Sequence, residues 1–252
     1  MNAAADARTR LLPRAVARGL DLVTLVSLGA LTLFGLWAAP PDEVQRDAQR
    51  IMYLHVPAAW AMYLAFGVTT LASVLWLVPR TRSVVWDRLA GASAEVGVVF
   101  TGLTLVLGSL WGRPVWGVWW AWDARLVTTA VLFFLYLGYL ALRAVPADPV
   151  VRARRSAITA LVVSVDIPIV HFSVNWWRTL HQQATVFNPE LSPEIHGTMA
   201  LTLWIGVAAF TLLYLSLLDR RYRLATLEEG LEERELDAAI RARVGATEGS
   251  AS

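Results

Sequence analysis

Five tryptophans crowd into twelve residues of the segment LWGRPVWGVWWAWDARL: Trp111, Trp116, Trp119, Trp120 and Trp122. The run closes on Asp123 and Arg125. An indole has a large apolar body with a single polar N–H, so a shelf of such rings suits a broad, flat, apolar ligand that stacks on them and buries its edges. If the segment is helical, Trp119 with Trp122 and Trp116 with Trp120 share faces and the shelf is flat. The plainer alternative is an amphipathic helix that only anchors the loop at a membrane surface. Asp123 and Arg125 are expected to pair locally or to cap the helix that follows.

Two histidines stand in comparable settings. His55 precedes Val56 and Pro57, and His181 follows Trp176, Trp177 and Arg178. A single histidine near a membrane surface is more commonly a hydrogen-bonding interface residue than a ligand. Two of them flanking an aromatic shelf shift the balance, because neutral imidazole is an axial ligand for haem iron and two could take opposite faces of one macrocycle. Arg113, Arg125 and Arg178 lie in the same segments, and their forked donors suit carboxylates such as haem propionates. His171 is read as a buried or interfacial residue with a pocket role left open, and His196 as an interface residue. Asp166, with Pro168 close behind, is an acidic kinked position at lipid depth that is either functional or hydrogen-bonded for structure.

The elements that must position these side chains follow from composition. Hydrophobic residues make up 56% of 252 positions, above the roughly 45–50% of a soluble domain. Six stretches reach the roughly 17–25 apolar residues that a membrane-spanning helix needs. They run near Leu20 to Ala39, Val56 to Val78, Gly91 to Gly112, Leu126 to Leu142, Ser156 to Val174 and Gly197 to Leu218. The expected fold is therefore all-α, a polytopic membrane protein with an external tryptophan-rich loop. Without cysteine the chain has no disulfide, thiolate metal site, cysteine nucleophile or thioether link to haem. All 22 basic residues are arginine, which excludes a P-loop lysine and leaves any use of ATP to a partner.

Arginine placement predicts the orientation. The N-terminal tail, the even-numbered loops and the segment after the last span hold fourteen arginines up to Arg223, and the odd loops hold five. By the positive-inside rule both termini are cytoplasmic and the odd loops, with His55, the tryptophan run and His181, face outward together. This distribution also accounts for the basic pI near 9.3 without invoking nucleic acid. The first span resembles a signal peptide in its flanks, but its apolar core exceeds the roughly 7–15 residues of a signal h-region, so it is read as uncleaved. The expected divisions are a cytoplasmic tail over 1–19, a six-helix domain over 20–221 and a charged cytoplasmic tail over 222–252. In that last tail Leu227, Leu231, Leu236 and Ile240 are spaced for one helix face, solvated or docked to a partner.

These residues also resemble a known family. WGVWWAWDARL resembles the tryptophan-rich WWD signature of haem-handling proteins in cytochrome c maturation, in the form found in the haem exporter protein C (CcmC) family. IMYLHVPAAW and VNWWRTLHQ resemble the contexts of that family's two histidine ligands and map them to His55 and His181, leaving His171 outside the motif. The resemblance covers about Leu20 to Arg221. It implies b-type haem, held non-covalently on the outer face of the bacterial inner membrane between the two histidines and the tryptophan loop. It also implies presentation to the haem chaperone CcmE, with CcmA and CcmB supplying ATP hydrolysis and the small CcmD completing the complex. Independent turnover by this chain is not implied. The sequence departs from the family pattern at Val127, where a polar residue is frequent, and in a longer tail beyond Arg223. A haem-containing redox subunit and a haem transporter remain competing readings; the first usually places its ligands within the bilayer, and the second tends to need several midplane polar groups.

Overall fold

The computed structural model describes residues 11–181 and 195–249, and six of its helical stretches are long and apolar enough to cross a membrane. Helix α1 (Arg14–Leu33) follows Pro13 and runs into a widened turn at Phe34–Ala38. Helix α2 (Met52–Leu77) is entered through the tight turn Asp47–Ile51. Helix α3 (Val84–Trp116) starts where the Ser83 side chain accepts the Val85 N–H, and ends at Gly117, whose φ of 78° is left-handed. Helix α4 (Ala124–Ala144) is capped by Asp123, and α5 (Pro149–Ser164) by Asp148, each through a side-chain carboxylate. Helix α6 (Asp166–Trp176) completes the fifth span, and α7 (Gly197–Gly249) forms the sixth and continues into the tail.

Two of these elements sharpen the sequence expectation. Helix α3 has 33 residues, about 50 Å at 1.5 Å per residue, against a hydrocarbon core of about 30 Å. Its ends therefore project from both faces, carrying Asp87 at one end and Trp111 to Trp116 at the other. The fifth span is broken between Ser164 and Asp166, as Pro168 predicts: its ring nitrogen has no proton to donate to the carbonyl one turn earlier. Oδ2 of Asp166 is buried there with no hydrogen-bond partner among the described residues.

The core is built on α2 and α3, which meet through small side chains: Ala58, Ala61 and Ala65 on α2, and Ala90, Ala94 and Gly97 on α3, all buried. Lipid gives little hydrophobic drive to helix association, so close backbone approach and interhelical hydrogen bonds must supply it. Ser93 donates to the Ala65 carbonyl at 2.7 Å and shares a 2.8 Å hydrogen bond with Tyr214 of α7. Phe66 of α2 stacks on Tyr136 of α4 with centroids 3.6 Å apart. Helix α1 packs mainly on α7, and α6 on α4.

The α2–α7 contact is close at Gly206. A Cβ there would stand 2.8 Å from Cγ of Pro57 and 2.9 Å from the Tyr53 carbonyl oxygen, neither of which can swing away. Gly206→Ala is expected to destabilise the fold by about 1–3 kcal/mol. Gly138→Ala, at a position with open space around it, is expected to be near neutral. Detergent-solubilised thermal unfolding of the two variants side by side checks this; equal midpoints would refute the close-approach argument.

Candidate functional site

His55 lies in the first turn of α2 with its ring pressed on α3 at Gly108, where an added Cβ would sit 3.1 Å from its Cε1. The side chain is buried, at 8% exposure, and its Nδ1 has no hydrogen-bond partner among the described residues. Trp111, one turn farther along α3, meets the same imidazole edge-on with centroids 5.7 Å apart. Its indole N–H donates to Oε1 of Gln45 at 2.8 Å, which ties the loop between α1 and α2 to α3.

His181 sits beyond the end of α6 and is brought to His55 by a latch on Asp123. One carboxylate oxygen of Asp123 accepts the Arg125 N–H at 2.9 Å, forming the α4 cap. The other accepts both the Thr179 hydroxyl at 2.5 Å and the Leu180 N–H at 2.7 Å. The Thr179 oxygen in turn accepts the His181 N–H at 3.0 Å. Burial alone would raise the Asp123 pKa, but the hydrogen bonds from Thr179, Leu180 and Arg125 prevail and hold it below the ordinary carboxylate value. A carboxylate depressed in the fold adds stability that is present above its unfolded pKa of about 4 and is lost as pH falls through the lower folded value. The latch is therefore closed throughout the neutral and mildly acidic range.

The outcome is a pair of imidazoles with ring centroids 6.3 Å apart and planes inclined by 36°. They face a cavity of about 300 Å³ bounded by α2, α3, α4 and α6. Its walls include Trp111, Trp116 and Trp120 from the tryptophan run, Arg125 and Thr129 from α4, and Tyr63 and His171 deeper in the bundle. Trp116 meets His181 with centroids 6.2 Å apart. Arg125 donates to the His171 carbonyl at 2.6 Å and through Nε to the Ser173 hydroxyl at 3.5 Å, so its guanidinium is fixed between α4 and α6 at the cavity wall.

The structure corrects the flat helical shelf expected of the tryptophan run. Helix α3 stops at Trp116 because Gly117 turns left-handed, and 117–123 is irregular. Trp120 and Trp122 consequently meet at 84° rather than lying side by side, and Trp119 and Trp122 point outward at 58% and 87% exposure. Of the expected site residues, His55, His181, Trp116, Trp120 and Arg125 line one cavity. Asp123 stands behind it as the latch. Arg113 and Arg178 are exposed outside it, Arg113 with its guanidinium 6.0 Å over the Trp119 ring.

A family model described as heme exporter protein C, CcmC, matches residues 2–237. This chain belongs to the CcmC family. It is 42% identical over 208 residues to a heme exporter protein C of Haemophilus influenzae, covering 82% of this chain and 83% of that one. It is 39% identical over 183 residues to the heme exporter protein C of Escherichia coli K12, covering 70% and 73% respectively. It is also 38% identical to a putative cytochrome c biosynthesis ccmC-like mitochondrial protein of Marchantia polymorpha over 184 residues, 73% of this chain and 76% of that one. The CcmC match reaches residue 237, so much of the charged tail lies inside the family's bounds, wider than the 20–221 seen from motifs.

Several wall residues of this CcmC chain escaped the sequence reading. Tyr63 lies two turns after His55 on the same face of α2, and stepping i, i+4, i+8 from His55 through Ala59 would have reached it. His171, whose pocket role was left open beside the buried or interfacial reading, faces Tyr63 with ring centroids 6.0 Å apart inside the cavity. Nothing in its sequence context marks it.

Proposed function

We propose that this chain takes part in cytochrome c maturation by holding haem between His55 and His181 and presenting it to the chaperone CcmE. The observation that carries this reading is the 6.3 Å separation of the two imidazole centroids across the cavity. Neutral imidazoles at that separation would hold one iron between them, each offering it a nitrogen donor. The donor set fits as well: neutral imidazoles for iron, aromatic faces at Trp111, Trp116 and Trp120 for the macrocycle, and the Arg125 guanidinium for a propionate. The role of Arg113 and Arg178 is then at the rim, meeting a propionate or the incoming chaperone.

The cavity is at the small end of the roughly 300–1,000 Å³ usual for enclosed organic ligands, so haem is only partly enclosed. That suits hand-over, which needs an accessible vinyl edge, and any catalysis by this chain is catalysis by positioning. Trp119 and Trp122 offer CcmE an aromatic landing surface beside that edge. With fourteen arginines on the side of the termini, both termini are cytoplasmic and the site faces outward from the bacterial inner membrane. CcmA, CcmB and CcmD complete the assembly, and ATP is hydrolysed there.

Purified protein is expected to carry haem with a low-spin bis-histidine absorption spectrum. In His181→Ala the spectrum is expected to become that of a five-coordinate or water-ligated iron, and added imidazole is expected to restore the low-spin form. A low-spin spectrum unchanged in the His55→Ala/His181→Ala double variant would overturn the assignment.

A further inference from the structure

A second cavity lies at the opposite end of the bundle, where the first two turns of α1 meet α7. Its volume is about 560 Å³. Arg14 and Arg18, one turn apart on α1, and Arg220 and Arg223 on α7 all line it, while Asp21 is the single acidic wall residue among the described residues. Among the described lining residues, four positive groups minus one negative leaves a formal excess of three. Counting the neighbouring Asp219, which accepts the Leu12 N–H at 2.9 Å, still leaves two. Asp21 is already committed: Arg220 pairs with it at 2.9 Å and the Ser216 hydroxyl donates to its other oxygen. Ala17 also lines it, with a side chain too small to fill the space.

Its depth identifies the ligand's surroundings. The first span, Arg14–Ala38, has 25 residues and is about 37 Å long, more than the roughly 30 Å hydrocarbon core, so its first turns lie among lipid headgroups. Immediately beyond, Leu22, Val23, Leu25 and Val26 are all more than half exposed and present an unbroken acyl-chain surface. A concentration of arginines around a cleft at headgroup depth, continued by a bare apolar wall, matches an anionic lipid in both its parts.

We propose that this cleft is a binding site for one anionic phospholipid, with the headgroup phosphate held by Arg14, Arg18 and Arg223 and the acyl chains lying along α1. The phosphate is the shared chemistry with soluble phosphate esters, and the acyl contact is what separates the two sources.

The test uses the full chain in nanodiscs of mixed phosphatidylglycerol and phosphatidylcholine, released into native mass spectrometry. Retention of one phosphatidylglycerol per chain is expected, reduced about tenfold in Arg14→Gln/Arg18→Gln. Little change is expected in Arg80→Gln/Arg154→Gln, which removes two exposed arginines from the same end of the bundle but outside the cleft. Helical circular dichroism of both variants verifies that they are folded. Equal retention of phosphatidylcholine, an equal loss in the control pair, or displacement of the lipid by millimolar glycerol phosphate would each overturn the proposal.

Discussion

Asp123→Ala is expected to lose haem about 10–100-fold more readily than the parent, although its carboxylate is not part of the cavity wall. The magnitude is that of outer partners which orient a metal-binding histidine. The mechanism is specific. Removing the carboxylate frees the Thr179 hydroxyl and the Leu180 N–H, and the segment that carries His181 loses its attachment to the start of α4. Asn does not rescue it, because one carboxamide oxygen replaces two acceptors and an NH₂ donor then faces a donor. The expected spectrum is that of His181→Ala, with His55 still ligated and imidazole restoring the low-spin form. Thr179→Ala, which removes the hydroxyl that joins Asp123 to the His181 N–H, is expected to show a milder form of the same change. If Asp123→Ala lowered thermal stability but left haem retention and spectrum intact, Asp123 would be a helix cap and nothing more.

The second large effect is expected far from the site. Asp87, at the start of α3, accepts from Arg143 of α4 at 2.6 Å and 3.1 Å, with 5% of its side chain exposed. Arg152 of α5 approaches the same carboxylate at 3.9 Å and pairs with Glu229 of α7, which also holds Arg88 at 2.6 Å. One carboxylate therefore joins three helices and, through Arg152, reaches the tail extension of α7. Asp87→Ala strands the largely buried Arg143 guanidinium against Gly91 and Tyr139, at an expected cost of about 3 kcal/mol. Replacing both partners, as Asp87→Ala/Arg143→Met, is expected to recover most of that loss, since the desolvated charge goes with its partner. Unfolding in mixed micelles with increasing denaturing detergent measures both. A double variant as unstable as the single one would show that the cost comes from packing rather than from an orphaned charge.

The two networks sit at opposite ends of the bundle and were unequally visible in the sequence. That the arginines gather at one end was plain from their order along the chain. Which carboxylates they meet was not: Glu229 lies 141 positions from Arg88, and nothing local to either residue records the pairing. At the other end, the tryptophan run and both histidines stood out by type and context, and the expectation that Asp123 caps the following helix agrees with the structure. The helical shelf failed because a left-handed Gly117 outweighs the helical spacing of the rings around it. Tyr63 went unread, and His171 stayed open between an interfacial and a pocket role, because a side chain inside a span looks alike whether it faces lipid or a cavity.

By itself the sequence determined the number of spans and the segregation of arginines, and it singled out two histidines by their context. Hydrophobic length and charge placement act locally against the bilayer, and local physics is written in consecutive residues. Only the tertiary structure decided which tryptophans face the cavity, that Asp123 serves His181 by holding its backbone, and that four arginines from the two ends of the chain close around one cleft. Those outcomes depend on where α3 stops and on how each helix is rotated against its neighbours. Both are set by close packing between segments that the chain order keeps far apart.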